Sequence, residues 1–126
     1  MKNLRVLVVD DNSVNLKIMV RALHGLGHTG VIVNDGDKAI RCMSGLNFDL
    51  VLLDVTMPGM DGLETLSILR AQERAKQSRI PVIMVTGHDM PGDWERFIAG
   101  GADGYVCKPV DVALLDKEIR RVVPSF

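Results

Sequence analysis

Five short apolar runs recur along the chain, at Leu4–Val9, Gly30–Val33, Leu50–Leu53, Val82–Val85 and Gly104–Cys107, and the segments between them carry helical spacing. This alternation constrains the fold more than any other feature. Each run has the length of a strand and, Arg5 and the glycines apart, is continuously apolar rather than apolar at every second position, which suits a parallel sheet covered on both faces. Among the intervening segments, Leu16, Met19, Val20 and Leu23 line one helical face, with Ser13 as the expected cap and Gly25 or Gly27 as the stop. Leu63, Leu66 and Leu69 form a second stripe, and shorter helices fit Asp37–Ser44, Asp93–Ala99 before Gly100 and Gly101, and Val112–Val123 before Pro124. Strict alternation with short links predicts a (βα)5 doubly wound α/β fold, a three-layer sandwich around a parallel five-stranded sheet with right-handed crossovers.

Composition narrows the class. A chain of 126 residues, 47% apolar and 25% charged, is ordinary for a soluble domain and excludes disordered or disulfide-scaffold readings. At this size, residues 1–126 are expected to form a single domain around one core. Fifteen Lys and Arg against sixteen Asp and Glu, with no basic tract, offer nothing to neutralise a phosphate backbone, so direct nucleic-acid binding is not expected. No apolar run exceeds four residues, far short of the roughly 20 needed to span a membrane, and the N-terminus lacks an export-signal core. Cys42 and Cys107 have no metal or redox spacing and read as core thiols in a reducing cytoplasm.

In an open α/β sheet, ligands bind beyond the carboxyl ends of the strands. Those ends carry Asp10 and Asp11 after the first strand, Asp54 after the third, Thr86 after the fourth and Lys108 after the fifth. Two carboxylates 4 Å apart repel by about 1 kcal/mol in bulk water and about 4 kcal/mol at an effective dielectric of 20, so three converging carboxylates call for a cation. Lys108 supplies one charge, and the oxygen-only remainder suits Mg²⁺ together with a phosphoryl group. A carboxylate can itself be the nucleophile, forming an aspartyl phosphate, and Asp54 is the best candidate, with Thr86 as hydroxyl donor and Lys108 as counter-ion. Taken singly, each Asp could merely cap a helix and Lys108 could be a solvated strand end. Taken together, the matched chemistry of four strand ends outweighs those separate explanations.

The segments Val8-Val9-Asp10-Asp11-Asn12, Asp49 through Gly62 and Gly101 through Pro109 resemble the acidic-pair, phosphoacceptor and lysine segments of response-regulator receiver domains, a likeness extending from Leu4 to Val123. The resemblance implies the flavodoxin-like strand order 2-1-3-4-5. It also implies Asp54 as phosphoacceptor, Mg²⁺ held by Asp10, Asp11, Asp54 and the backbone carbonyl of Thr56, and a cis Lys108–Pro109 bond. Thr86 and Tyr105 match the family's switch pair, although Tyr105 reads equally well as a core aromatic. Thr56 and His88, two residues past the acceptor and the hydroxyl, occupy the positions that tune phosphoryl lifetime. His88 alone reads as a solvated loop residue, Trp94 as packing or a partner contact, and the methionines as core filler.

The implied function is a phosphorelay module that takes a phosphoryl group from the phosphohistidine of a histidine kinase or His phosphotransfer protein and alters a surface read by a protein effector or another receiver. It is not an enzyme in the usual sense, since its chemistry acts on itself. Two other readings compete: a Mg²⁺-dependent aspartyl-phosphate phosphatase or phosphotransferase acting on a small substrate, and a phosphate-independent pseudo-receiver. Asp10-Asp11-Asn12 departs from the DxD pattern of the former, and intact Asp54, Thr86 and Lys108 oppose the latter. Asn12 and Asn15 resemble receivers fused to hybrid sensor kinases.

Overall fold

The structure, a computed structural model, describes residues 3–87 and 90–123. Strands and helices alternate: β1 (Arg5–Val9), α1 (Ser13–Gly25), β2 (Thr29–Val33), α2 (Gly36–Gly45), β3 (Leu50–Asp54), α3 (Gly62–Lys76), β4 (Val82–Thr86), α4 (Asp93–Ala99), β5 (Gly104–Cys107) and α5 (Val112–Val122). All pairings are parallel and the sheet order is β2-β1-β3-β4-β5, as the alternation and the resemblance imply.

Strand pleating divides the sheet into two cores, because successive side chains point to opposite faces. Val6, Val8, Leu50, Leu52, Ile83, Val85 and Val106 pack with Leu16, Met19 and Leu23 of α1 and Leu115 and Ile119 of α5. Their neighbours Leu7, Val9, Val51, Leu53, Val82 and Met84 pack on the other face with Ala39 of α2, Leu66 of α3 and Phe97 of α4. Each fully buried Leu or Val contributes about 1.5–3 kcal/mol, which is why the central strands read as unbroken apolar runs.

β2 departs from that pattern. Ile32 is half exposed and no β2 residue is fully buried, because an edge strand has a neighbour on one side only. Neither cysteine is in a disulfide and both are only partly buried: Cys42 packs against the core on the α2–α3 side, as expected, whereas Cys107 lies on the other sheet edge, β5. Met19, Met57 and Met84 fill core, whereas Met90 is exposed.

Several element boundaries are set by side chains that cap helices. Asn12, not Ser13, caps α1, its Oδ1 accepting from the N–H groups of Val14 and Asn15 at 2.9 and 3.1 Å. Both residue types suit a cap, and the extended backbone at position 12 decides between them. Asp35, Asp61 and Asp111 cap α2, α3 and α5 in the same way. α2 therefore begins at Gly36 and ends at Gly45, a residue beyond the expected span at each end. α3 ends at Gln77, a left-handed residue with φ 55° that no glycine announces.

Candidate functional site

Asp10 and Asp54 lie two residues beyond Val8 and Leu52, and Lys108 two beyond Val106, so the pleat carries all three past the strand ends in step with the α1–α5 face of the sheet. β3 and β1 are neighbours at the centre of the sheet, with Val9 opposite Leu53, which sets Asp10 beside Asp54. The Lys108 Nζ sits 3.2 Å from Asp10 Oδ2 and 3.2 Å from Asp54 Oδ2. The remaining carboxylate oxygens are also engaged: the Asn12 N–H donates to Asp10 Oδ1 at 2.9 Å and the Thr56 N–H to Asp54 Oδ1 at 3.2 Å. Asp11 is exposed at the rim, and oxygens of Asp10, Asp11 and Asp54 lie within 4.8 Å of one another. Such an oxygen-only, partly buried cluster fits a hard divalent cation.

The electrostatics reflect this crowding. Burial, then the negative charge of Asp10, push the Asp54 pKa up to about 6, against the opposing pull of Lys108 and of the Thr56 N–H. Burial alone would lower the Lys108 ammonium, but Asp54 and Asp10 outweigh it and its pKa is raised. Lys108 is thus a fixed positive charge, while Asp54 carries the strain of the shared site.

Backbone contacts fix the acceptor loop. Gly62, the first residue of α3, donates its N–H to the Val55 carbonyl at 2.9 Å, and a Cβ at Gly62 would run into the Asp54 backbone carbonyl. The Lys108 N–H donates to the Thr86 carbonyl at 2.8 Å, and the Lys108–Pro109 bond is cis as the resemblance implies. Thr86 is buried at the end of β4 opposite Cys107, and Tyr105 pairs with Met84, so Thr86 and Tyr105 are diagonal neighbours on adjacent strands. The Tyr105 ring is half-buried, 5.1 Å from the Trp94 ring and 6.1 Å from the Phe97 ring, so it packs α4 onto β5 as a core aromatic. Trp94 is packing in part. His88 lies outside the described residues.

Three strand ends supply the carboxylates and Lys108, as expected; the contribution missed in the sequence is Asn12, whose N–H orients Asp10 while its side chain caps α1. The cavity reaching Asp10 and Lys108 is about 100 Å³, lined also by Asn15, Ile18 and Pro109.

With this geometry in place, comparison with known proteins gives the class. Residues 6–120 match the response regulator receiver domain family, and the chain belongs to it. It is 37% identical over 120 residues to the sensor protein GacS of Pseudomonas syringae pv. syringae, covering 94% of this chain and 13% of that protein. It is 40% identical over 114 residues to the hybrid signal transduction protein dokA of Dictyostelium discoideum, covering 90% and 7% respectively. The chain thus spans a small part of these relatives. Among solved structures, it superposes on the magnesium-bound receiver domain of the sensor histidine kinase PA1611 from Pseudomonas aeruginosa PAO1 with a TM-score of 0.85, at 31% identity, covering 97% of this chain and 98% of that one. The chemotaxis protein CheY4 of Vibrio cholerae gives a TM-score of 0.86 at 30% identity, covering 96% and 99%. The chain is a receiver domain of the phosphorelay type. Among the described residues, no helix is long and apolar enough to cross a membrane.

Proposed function

We propose that residues 1–126 form one receiver domain that accepts a phosphoryl group on Asp54 and passes the change to a protein-binding surface through Thr86 and Tyr105. The observation that carries this reading is the placement of Asp54: a buried carboxylate between a second carboxylate and an ammonium, at the mouth of the sheet. In the step itself, an Asp54 carboxylate oxygen bonds to phosphorus as the donor's phosphorus–nitrogen bond breaks. The leaving imidazole of a phosphohistidine keeps that electron pair and takes up a proton from solvent. Lys108, released from one carboxylate, pairs with a phosphoryl oxygen, and the Thr86 hydroxyl donates to another.

Asp10, Asp11, Asp54 and the Thr56 carbonyl would hold Mg²⁺, which when bound supplies the charge that offsets both the carboxylates and the phosphoryl oxygens. The site is self-acting rather than an enzyme for an external substrate, since the group that takes the phosphoryl is the chain's own Asp54 carboxylate. The donor is a histidine kinase or His phosphotransfer protein in the cytoplasm, and the recipient of the signal a protein effector or another receiver. Likeness to segments of GacS and dokA, together with Asn12 and Asn15, supports a place in a hybrid-kinase relay.

Incubation with acetyl phosphate, followed by intact mass, tests the reading. The expected result is one added phosphoryl group in Mg²⁺ buffer and none in EDTA or in Asp54→Asn. Equal uptake with and without EDTA would overturn it.

A further inference from the structure

We propose that Arg70, on α3, is a positioning residue that fixes the Gly100–Gly101 end of α4, so that a change at Asp54 and Thr86 turns α4 about that end. The inference rests on the switching role proposed above. It begins from the most fully engaged charged side chain in the described residues outside the acidic site.

Arg70 is 8% exposed, and each of its five N–H donors has an acceptor. Nε and Nη2 both donate to the Gly101 carbonyl, at 3.0 and 2.8 Å. Nη2 also meets Asp103 Oδ2 at 3.0 Å, while Nη1 meets Glu73 Oε1 at 2.6 Å and the Ile80 carbonyl at 2.7 Å. The two acids are themselves tied to the chain entering β4: Glu73 Oε2 accepts from the Ile80 N–H at 2.6 Å and Asp103 Oδ2 from the Val82 N–H at 2.9 Å. Arg79, more than half exposed, adds an outer contact, its Nη1 2.7 Å from Asp103 Oδ1 and its Nη2 donating to the Gly101 carbonyl at 3.4 Å. Guanidinium, carboxylates and backbone thus form one network in which Arg70 is the buried member, and removing it would leave Glu73 charged without its ion-pair partner. Gly101 has φ +104°, and a Cβ there would lie 3.1 Å from Arg70 Cγ, so the guanidinium stem packs directly on the backbone it holds.

The two ends of α4 are therefore unlike. At its C-terminal end, Arg70 grips Gly101, and the Ala102 N–H closes onto the Phe97 carbonyl over a fully buried Phe97 ring. At its N-terminal end, the cap is Gly92, with φ +88° and no side chain to satisfy the first turn; the bond from the Met90 N–H to Asp93 Oδ2 is local and exposed. α3 supplies the fixed frame. Its first residue, Gly62, packs against the Asp54 backbone with no room for a side chain, and two turns later the same helix presents Arg70. The acceptor strand and the C-terminal end of α4 move as one body. Displacement of the β4 end must then appear at the N-terminal half of α4, where Trp94 sits six residues before Gly100, about 9 Å along a helix axis.

Trp94 is the chain's single tryptophan and stacks near Tyr105, so its fluorescence reads α4 directly. The test adds saturating beryllofluoride with Mg²⁺ to the full chain and to Arg70→Lys, Asp103→Asn and Leu23→Ala. Leu23→Ala weakens the opposite, α1–α5 core and controls for stability alone. Circular dichroism checks folding, and intact mass after acetyl phosphate checks acceptance at Asp54. The expected result is a Trp94 response in the parent and in Leu23→Ala, and an about threefold or larger loss of its amplitude in Arg70→Lys and Asp103→Asn, with phosphoryl uptake at the parental rate. If Arg70→Lys does not fold, Asp103→Asn, which keeps an oxygen for the Val82 N–H, decides. Parental amplitude in folded Asp103→Asn, or an equal loss in Leu23→Ala, overturns the pivot. Absence of any Trp94 response in a parent that does take up phosphoryl overturns the switching role on which the pivot rests.

Discussion

Lys108 and Asp54 stand 3.2 Å apart at the ends of strands that are not neighbours, with β4 between them, and the same ammonium reaches Asp10 at 3.2 Å. One cation therefore spans two buried carboxylates, and the arrangement is electrostatically short of positive charge. That deficit has consequences that can be measured without any phosphodonor.

Asp54→Asn should stabilise the metal-free domain. The folded-state pKa of Asp54 is raised to about 6 from an ordinary 3.8, so the folded form binds more protons than the unfolded form between those values and loses stability as pH rises through them. The asparagine variant escapes that loss. In EDTA its gain over the parent should be of order 3 kcal/mol above pH 7 and vanish below about pH 4. Urea unfolding across that range checks it.

Asp11 is exposed and its removal leaves the fold's packing alone. Asp11→Ala should weaken Mg²⁺ binding by at least about tenfold, while its unfolding free energy in EDTA stays within about 0.5 kcal/mol of the parent. A calorimetric Mg²⁺ titration gives the first number and urea unfolding in EDTA the second.

His28 is buried at the opposite end of the sheet, its Nδ1 accepting from the Leu4 N–H at 3.1 Å. Burial lowers its pKa below 6.5; Asp116 on α5 opposes this and Arg120 adds to it. Because the unfolded chain takes up the proton more readily, stability should be fully present above pH 6.5 and fall as the pH drops below it. A His28→Gln variant should lose that part of the pH dependence in the same urea series.

Thr86→Ala should still take up phosphoryl at Asp54 but transmit it poorly. NMR shift changes on α4, β5 and α5 with beryllofluoride should be large in the parent and small in the variant. Matching shift changes in both would remove Thr86 from the coupling path.

The sheet, its order of elements and the carboxylates at its mouth were legible because they follow from short-range rules. Period-two burial turns Val8 and Leu52 inward and so carries Asp10 and Asp54 to the same face, whatever the rest of the chain does. Features that join distant segments were not legible. Nothing in the local pattern singles out Arg70, because its partners Gly101 and Asp103 lie more than thirty residues away. The exposure of Ile32 follows from β2 being an edge, which local pattern does not reveal. The choice of Asn12 over Ser13 as cap turns on one backbone angle, since both side chains can accept the same bonds.

The central claim is that the reactive carboxylate is Asp54 and not its neighbours. Borohydride reduction of the acetyl phosphate-treated protein converts an aspartyl phosphate to homoserine, and peptide mapping then locates it. The account predicts a single homoserine at position 54, formed only in Mg²⁺ buffer. Homoserine at position 10 or 11, or an unmodified Asp54 in a protein that carries the phosphoryl mass, would contradict it.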